Sequence, residues 1–137
     1  MQKKKTYREK TYLIGVALYG KKRYQVDKEL KELAHLANTA GAKVVAFSIQ
    51  VRKNPDPATF IGKGKSQTII NQAKELGCNL IIFNNDISPT QLKNFQKLAG
   101  EYLKVIDRTC LILDIFTKHA RTKESITQVS LAQLEYF

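Results

Sequence analysis

Tryptophan is absent from this chain of 137 residues, and methionine, cysteine, proline and glycine are scarce, at one, two, three and seven residues. So little Gly and Pro excludes a collagen-like or low-complexity chain. Cys78 and Cys110 are too few for a disulfide scaffold, and with only His35 and His119 beside them no metal-ligand spacing emerges. No apolar run approaches the ~18–20 residues that cross a bilayer. The apolar stretch 12–18 behind the basic N-terminus is too short for a secretory core. These absences point to a cytoplasmic protein, with a peripheral position at a membrane surface left open. What is present suffices for a core: 43% of the residues are hydrophobic and 26% charged, enough for one domain or one domain with a helical appendage.

Acidic residues are also in short supply, and the formal net charge is +11. Residues 1–23 hold eight cations (Lys3, Lys4, Lys5, Arg8, Lys10, Lys21, Lys22 and Arg23) against Glu9 alone. A basic tail over residues 1–11 is either a solubilising extension or a contact for a polyanion, of which nucleic acid is the commonest.

Hydrophobic periodicity then divides the chain. Residues 12–18 read as a buried strand, and Val26, Leu30, Leu33, Ala34 and Ala37 form one face of a helix over 26–40 that Gly41 stops. A second strand spans 43–51. The loop 52–61 contains Asn54-Pro55-Asp56-Pro57, where each Pro pushes its predecessor out of helical space. A helix over 65–76, a strand over 79–83, a helix opened by Ser88-Pro89 with Gln91 completing a capping box, and a strand over 102–106 follow. An apolar segment, 110–116, leads into sequence that reads as helical nearly to the end, with a break near Arg121-Thr122. Alternating strands and helices predict an α/β fold: a four-stranded, mostly parallel sheet with helices on both faces over 12–108. Residues 109–137 would begin a C-terminal helical hairpin. The last stripe, Ile126, Val129, Leu131, Ala132, Leu134, Tyr136 and Phe137, stops in mid-pattern. It predicts a missing partner helix in a truncated chain or pairing with a second copy, so the expectation is a monomer or a weak dimer through this helix.

Ligands of open parallel sheets gather at the C-terminal strand ends. There this chain places Lys21, Lys22 and Arg23 after the first strand, and Arg52 and Lys53 after the second. Lys63 and Lys65 stand at the next helix entry, and Arg108 follows the fourth strand. Only Asp56, Asp86 and Asp107 oppose them, so this rim favours phosphate-bearing partners. Gly62-Lys63-Gly64-Lys65-Ser66 ends like a P-loop, but a P-loop needs Gly where Thr59 stands. Gly62 and Gly64 would still let backbone approach a phosphate at a helix N-terminus. A nucleotide-binding regulatory domain using the turn 62–66 is the alternative reading. No catalytic set emerges: His35 reads as structural, Asp86 and Asp107 read as turn caps, and both cysteines read as buried thiols.

Four stretches carry a resemblance: Asn54-Pro-Asp-Pro-Ala-Thr-Phe-Ile-Gly-Lys-Gly-Lys65, Asp107-Arg-Thr-Cys-Leu-Ile-Leu-Asp-Ile-Phe116, Ala120-Arg-Thr-Lys-Glu124 and Gln128-Val-Ser-Leu-Ala-Gln-Leu134. Their order and spacing resemble the N-terminal domain of the HflX family of ribosome-associated GTP-binding proteins. Cys110 and Ser125 stand where that family commonly has small residues such as Gly. The resemblance implies a module that binds the large ribosomal subunit and its rRNA and acts on its own GTPase domain, in a protein of translation or stress response that splits stalled ribosomes. GTP and magnesium are implied for that GTPase domain, and no cofactor for these residues, because the chain has no P-loop, no Asp-x-x-Gly and no Asn-Lys-x-Asp. The fragment would thus bind and regulate rather than hydrolyse GTP. Arg121 and Lys123, at the break before the last helix, join the rim cations as candidate RNA contacts.

Overall fold

The structure, a computed structural model, describes residues 9–119. In chain order its elements are β1 (Lys10–Ala17), α1 (Arg23–Thr39), β2 (Lys43–Val51), α2 (Lys63–Glu75), β3 (Leu80–Phe83), α3 (Pro89–Ala99), β4 (Lys104–Asp107) and α4 (Arg108–His119). All strand pairs are parallel and the sheet order is β2-β1-β3-β4. The fold is the α/β class that the alternation of elements predicts.

Strand periodicity of two sorts the core into halves. Tyr12, Ile14 and Val16 of β1, with Ile81 and Phe83 of β3, meet Ile69, Ile70 and Ala73 of α2 and Phe95 and Ala99 of α3. Leu13 and Ala17, with Leu80 and Ile82, meet Val26, Leu30, Leu33 and Ala37 of α1 and Leu111 of α4. β1 and β3 are covered on both faces, which is why they read as unbroken apolar runs. On the α1 face, Gly15 is the point of closest approach: a Cβ there would lie 2.5 Å from Val26 Cγ1 and 3.1 Å from Leu30 Cδ1.

Local signals explain most boundaries. Ser88 caps α3 by accepting from Gln91 N–H at 3.1 Å while Gln91 Oε1 accepts from Ser88 N–H at 3.1 Å. Gly41 and Gly77 turn the chain out of α1 and α2 with φ of 95° and 76°, values costly to any side chain. Some expectations shift. β1 starts at Lys10, inside the stretch read as tail, where Lys10 is in register with Lys43. α2 starts at Lys63 rather than Lys65. β4 starts at Lys104, because Tyr102 is 87% exposed and lies outside the ladder. His35 lies on the exposed face of α1, the helix packing through Val26, Leu30, Leu33 and Ala37. Cys78 is buried as expected, but Cys110 is exposed. Asp107 starts α4 by accepting from Cys110 N–H at 3.0 Å, and this phase turns Leu111 inward instead. The break at Arg121-Thr122 and the final helix lie outside the described residues.

The loop between β2 and α2 is an ordered unit. Asp56 and Phe60 exchange backbone hydrogen bonds of 2.8 and 3.0 Å, and Asp56 Oδ2 accepts from Ala58 N–H, Thr59 N–H and Thr59 Oγ1 at 2.9–3.2 Å. Gln91 and Asn94 of α3 donate to Asp56 and Ala58 carbonyls at 2.8 and 2.9 Å. Phe60 adopts a left-handed φ of 74°, offset by burying its ring edge-on to Phe83, with centroids 5.9 Å apart.

Two consequences are measurable. Gly15→Ala should overpack the β1–α1 contact and destabilise the fold by about 1–3 kcal/mol, read as a lower urea midpoint at unchanged slope. The Thr59 N–H, ahead of the bonds from Ala58 N–H and Thr59 Oγ1, holds the Asp56 carboxyl below its ordinary value. Its stabilisation is complete above the unfolded value of about 3.9 and is lost as pH falls from there through the depressed folded value. Acid titration of stability should therefore lose part of its slope below about pH 4 in Asp56→Asn.

A basic rim at the strand ends

The parallel sheet gathers the C-terminal ends of all four strands on one edge, and the order of strands reverses between β1 and β3. That reversal point is where doubly wound sheets open a ligand crevice. Here it is filled. Asn85 spans it, accepting from Val16 N–H at 2.9 Å and donating to Val16 C=O at 3.0 Å. The buried Asn84 beside it donates to Glu29 at 2.8 Å and accepts from Arg108 at 2.6 Å. Lys21 pairs with Glu29, and Arg108 reaches Glu32 at 3.9 Å. Two acids of α1 thus join the three aspartates that the sequence alone assigns to this edge.

The rim cations fall into two groups. Arg52 donates to the carbonyls of Asn54 and Ile61, both at 3.0 Å, and so clasps the β2–α2 loop. Arg108 ties α4 to β3 and α1, Lys21 is paired, and Arg23 reaches the Ile49 carbonyl at 3.3 Å. Lys22, Lys53, Lys63 and Lys65 are exposed, and no ion pair among the described residues engages them. They present the uncompensated charge of the edge. Arg121 and Lys123 lie outside the described residues.

The turn 62–66 is the start of α2. Gly62, at φ 92°, precedes the helix, and its carbonyl receives the Ser66 N–H at 2.9 Å and the Ser66 hydroxyl at 2.6 Å. Ser66 is fully buried, so its hydroxyl is turned away from any phosphate or metal. Gly64 and Lys65 lie within the first turn and not in a loop ahead of it. These residues do not fit the phosphate cradle of a P-loop, for which GTP and magnesium would be the ligands. Gly62 does permit close approach: a Cβ there would come no nearer than 3.5 Å to a heavy atom, the Arg52 Nη1.

Asp86 and Asp107 hold local hydrogen bonds at the strand ends. Asp107 accepts from Ile87 N–H at 3.2 Å as well as from Cys110 N–H, and Asp86 accepts from Thr109 Oγ1 at 2.9 Å. Partial desolvation of the Cys110 sulfur, then the Asp107 carboxylate, raises this thiol above its ordinary value. Among the described residues no group of His, Cys, Asp and Glu could hold a metal ion, and no helix is long and apolar enough to cross a membrane. Sequence reading missed the Asn84-Asn85 closure and the anchoring roles of Arg52 and Arg108. An Asn pair directly after a buried strand was the available signal.

Residues 27–117 match the family described as GTP-binding GTPase N-terminal. The chain is 44% identical over 110 residues to the GTPase HflX of Caldanaerobacter subterraneus subsp. tengcongensis, covering 80% of this chain and 25% of that protein. It is 39% identical over 109 residues to the GTPase HflX of Escherichia coli, with the same coverage of 80% and 25%. Among solved structures it is similar to a GTP-binding protein from the hyperthermophilic archaeon Sulfolobus solfataricus in complex with GDP. There the TM-score is 0.66 at 26% identity, over 93% of this chain and 36% of that one. The chain therefore spans about a quarter of the length of these curated relatives. Fold and sequence likeness coincide over most of the described residues, and the chain belongs to the HflX family as its GTP-binding GTPase N-terminal domain.

Proposed function

We propose that this domain is the docking module of an HflX-type GTPase, seating the protein on the rRNA of the large ribosomal subunit and acting on its own GTPase domain. In this reading GTP and magnesium are bound, and GTP hydrolysed, in that other domain. These 137 residues bind and regulate, and the whole protein acts on stalled ribosomes under stress. The observation that carries the reading is the concentration of exposed cations (Lys22, Lys53, Lys63 and Lys65), without an ion pair among the described residues, on one edge of a sheet whose crevice is bridged by Asn84 and Asn85. With this crevice bridged by its own side chains, the charge stands on the outer edge, which suits an extended polyanion. Lys21, Arg23, Arg52 and Arg108 shape this edge as much as they charge it.

Neutralising about five phosphates gives log affinity a slope of roughly −4 to −5 against log salt. Co-sedimentation of the chain with purified large ribosomal subunits should therefore be saturable at about 50 mM salt and much weaker at about 200 mM. Changing Lys22, Lys53, Lys63 and Lys65 together to Gln should abolish it without lowering the melting temperature. Equal binding by both proteins would move recognition to the basic tail or to Arg121 and Lys123. Equilibrium dialysis with ATP or GTP should find no tight site in this chain, and a stoichiometric complex would instead place function at the turn 62–66.

A further inference from the structure

The rim carries two aromatic rings that neither the core nor the hydrogen-bond scheme uses. Tyr19 sits in the β1–α1 connection, where Lys21 N–H closes a turn onto the Leu18 carbonyl at 3.0 Å and Tyr19 and Gly20 both have positive φ, 52° and 86°. This left-handed backbone suits Gly or Asn and is disfavoured for a tyrosine. Phe60, the other described non-glycine residue in that region, buries its ring in exchange, at 4% exposure, whereas Tyr19 is 70% exposed. Its main chain is nevertheless anchored, because Tyr19 N–H donates to the Lys53 carbonyl at 3.2 Å. Tyr24, in the first turn of α1, is 73% exposed. Lys21, Lys22 and Arg23 lie between the two tyrosines in the chain, and the main chain of Lys53 is bonded to that of Tyr19. By contrast Tyr12 is buried, with its hydroxyl on Gln72 Oε1 at 2.8 Å.

Exposed rings set among cations are the elements of a single-strand platform: bases stack on the rings while the cations follow the phosphates. An A-form duplex keeps its base faces inside the stack, out of reach of such rings. We infer that Tyr19 and Tyr24 stack on unpaired bases, so that the rim selects single-stranded or bulged RNA over duplex RNA. This rests on the RNA-binding reading above and adds to it the class of RNA recognised. The anchored backbone of Tyr19 lowers the cost of ordering its ring, since only side-chain torsions remain to be fixed.

The test uses the 137-residue chain, a labelled oligouridylate of about ten nucleotides, and a blunt RNA duplex with the same number of phosphates, followed by anisotropy. The wild-type chain should prefer the single strand. Tyr19→Asn, which suits the left-handed turn, and Tyr24→Ala should each weaken single-strand binding about tenfold and leave duplex binding unchanged. Tyr19→Phe and Tyr24→Phe should bind as wild type, as should Tyr102→Ala, an exposed tyrosine at the opposite edge of the sheet. The chain has no Trp, so stacking should also quench its tyrosine emission, and the Tyr19→Asn/Tyr24→Ala pair should lose most of that quenching. If binding is salt-dependent and needs Lys22 and Lys53 but ignores both tyrosines, the inference falls and the RNA-binding reading stands. If the tyrosines matter for large subunits but not for either RNA, they contact protein and the inference falls again. If neither RNA binds, both readings fall.

Discussion

A parallel sheet covered on both faces leaves its central strands no surface of their own. β1 and β3 are buried from end to end, apart from Lys10 at the start of β1, so no functional group can project from their middles. Every side chain that meets solvent near them must leave from a strand end. Because the ladders are parallel, all the C-terminal ends share one edge. The concentration of cations there is a consequence of this constraint acting on a chain rich in Lys and Arg. Gly15 shows how tight the covering is, since α1 approaches β1 to a distance that admits no methyl group.

The same constraint makes the exposed ends of β1 and β3 costly, because peptide groups at the reversal point lose their strand neighbours. Asn85 supplies both a donor and an acceptor to Val16, and Asn84 links Glu29 to Arg108. Polar groups at this end of the sheet are satisfied by side chains of the chain itself. What the edge leaves exposed is charge and two aromatic rings. Arg52 and Arg108 hold loop and helix in place, whereas Lys22, Lys53, Lys63 and Lys65 are exposed.

Most elements of the fold were legible because each rests on a local rule. Ser88-Pro89 and Gln91 announce α3, Gly41 and Gly77 end helices, and the apolar runs of β1 and β3 identify buried parallel strands. The misreadings lie where one hydrogen-bonded partner, near or far in sequence, sets a boundary or a helical phase. Tyr102 has the composition of a strand residue, yet the ladder partner that would place it begins at Lys104, opposite Leu80. Cys110 looks like a core thiol until Asp107 sets the phase of α4. The candidate site was legible as a set of cations and not as an arrangement, since nothing local distinguishes Arg52, which clasps a loop, from Lys53, which does not.

By itself the sequence determined the order of elements, the α/β class and the excess of positive charge at the strand ends, because periodicity, caps and composition are properties of neighbouring residues; the family showed in the resemblance of its motif stretches. Tertiary structure alone decided three things. The reversal point is closed. Glu29 and Glu32 temper part of the rim charge, and the ring of Phe60 is buried while that of Tyr19 remains exposed. Each depends on pairs of residues brought together across the sheet, such as Val16 with Asn85 or Phe60 with Phe83. Such pairings follow from strand order and helix packing, which local propensity does not encode.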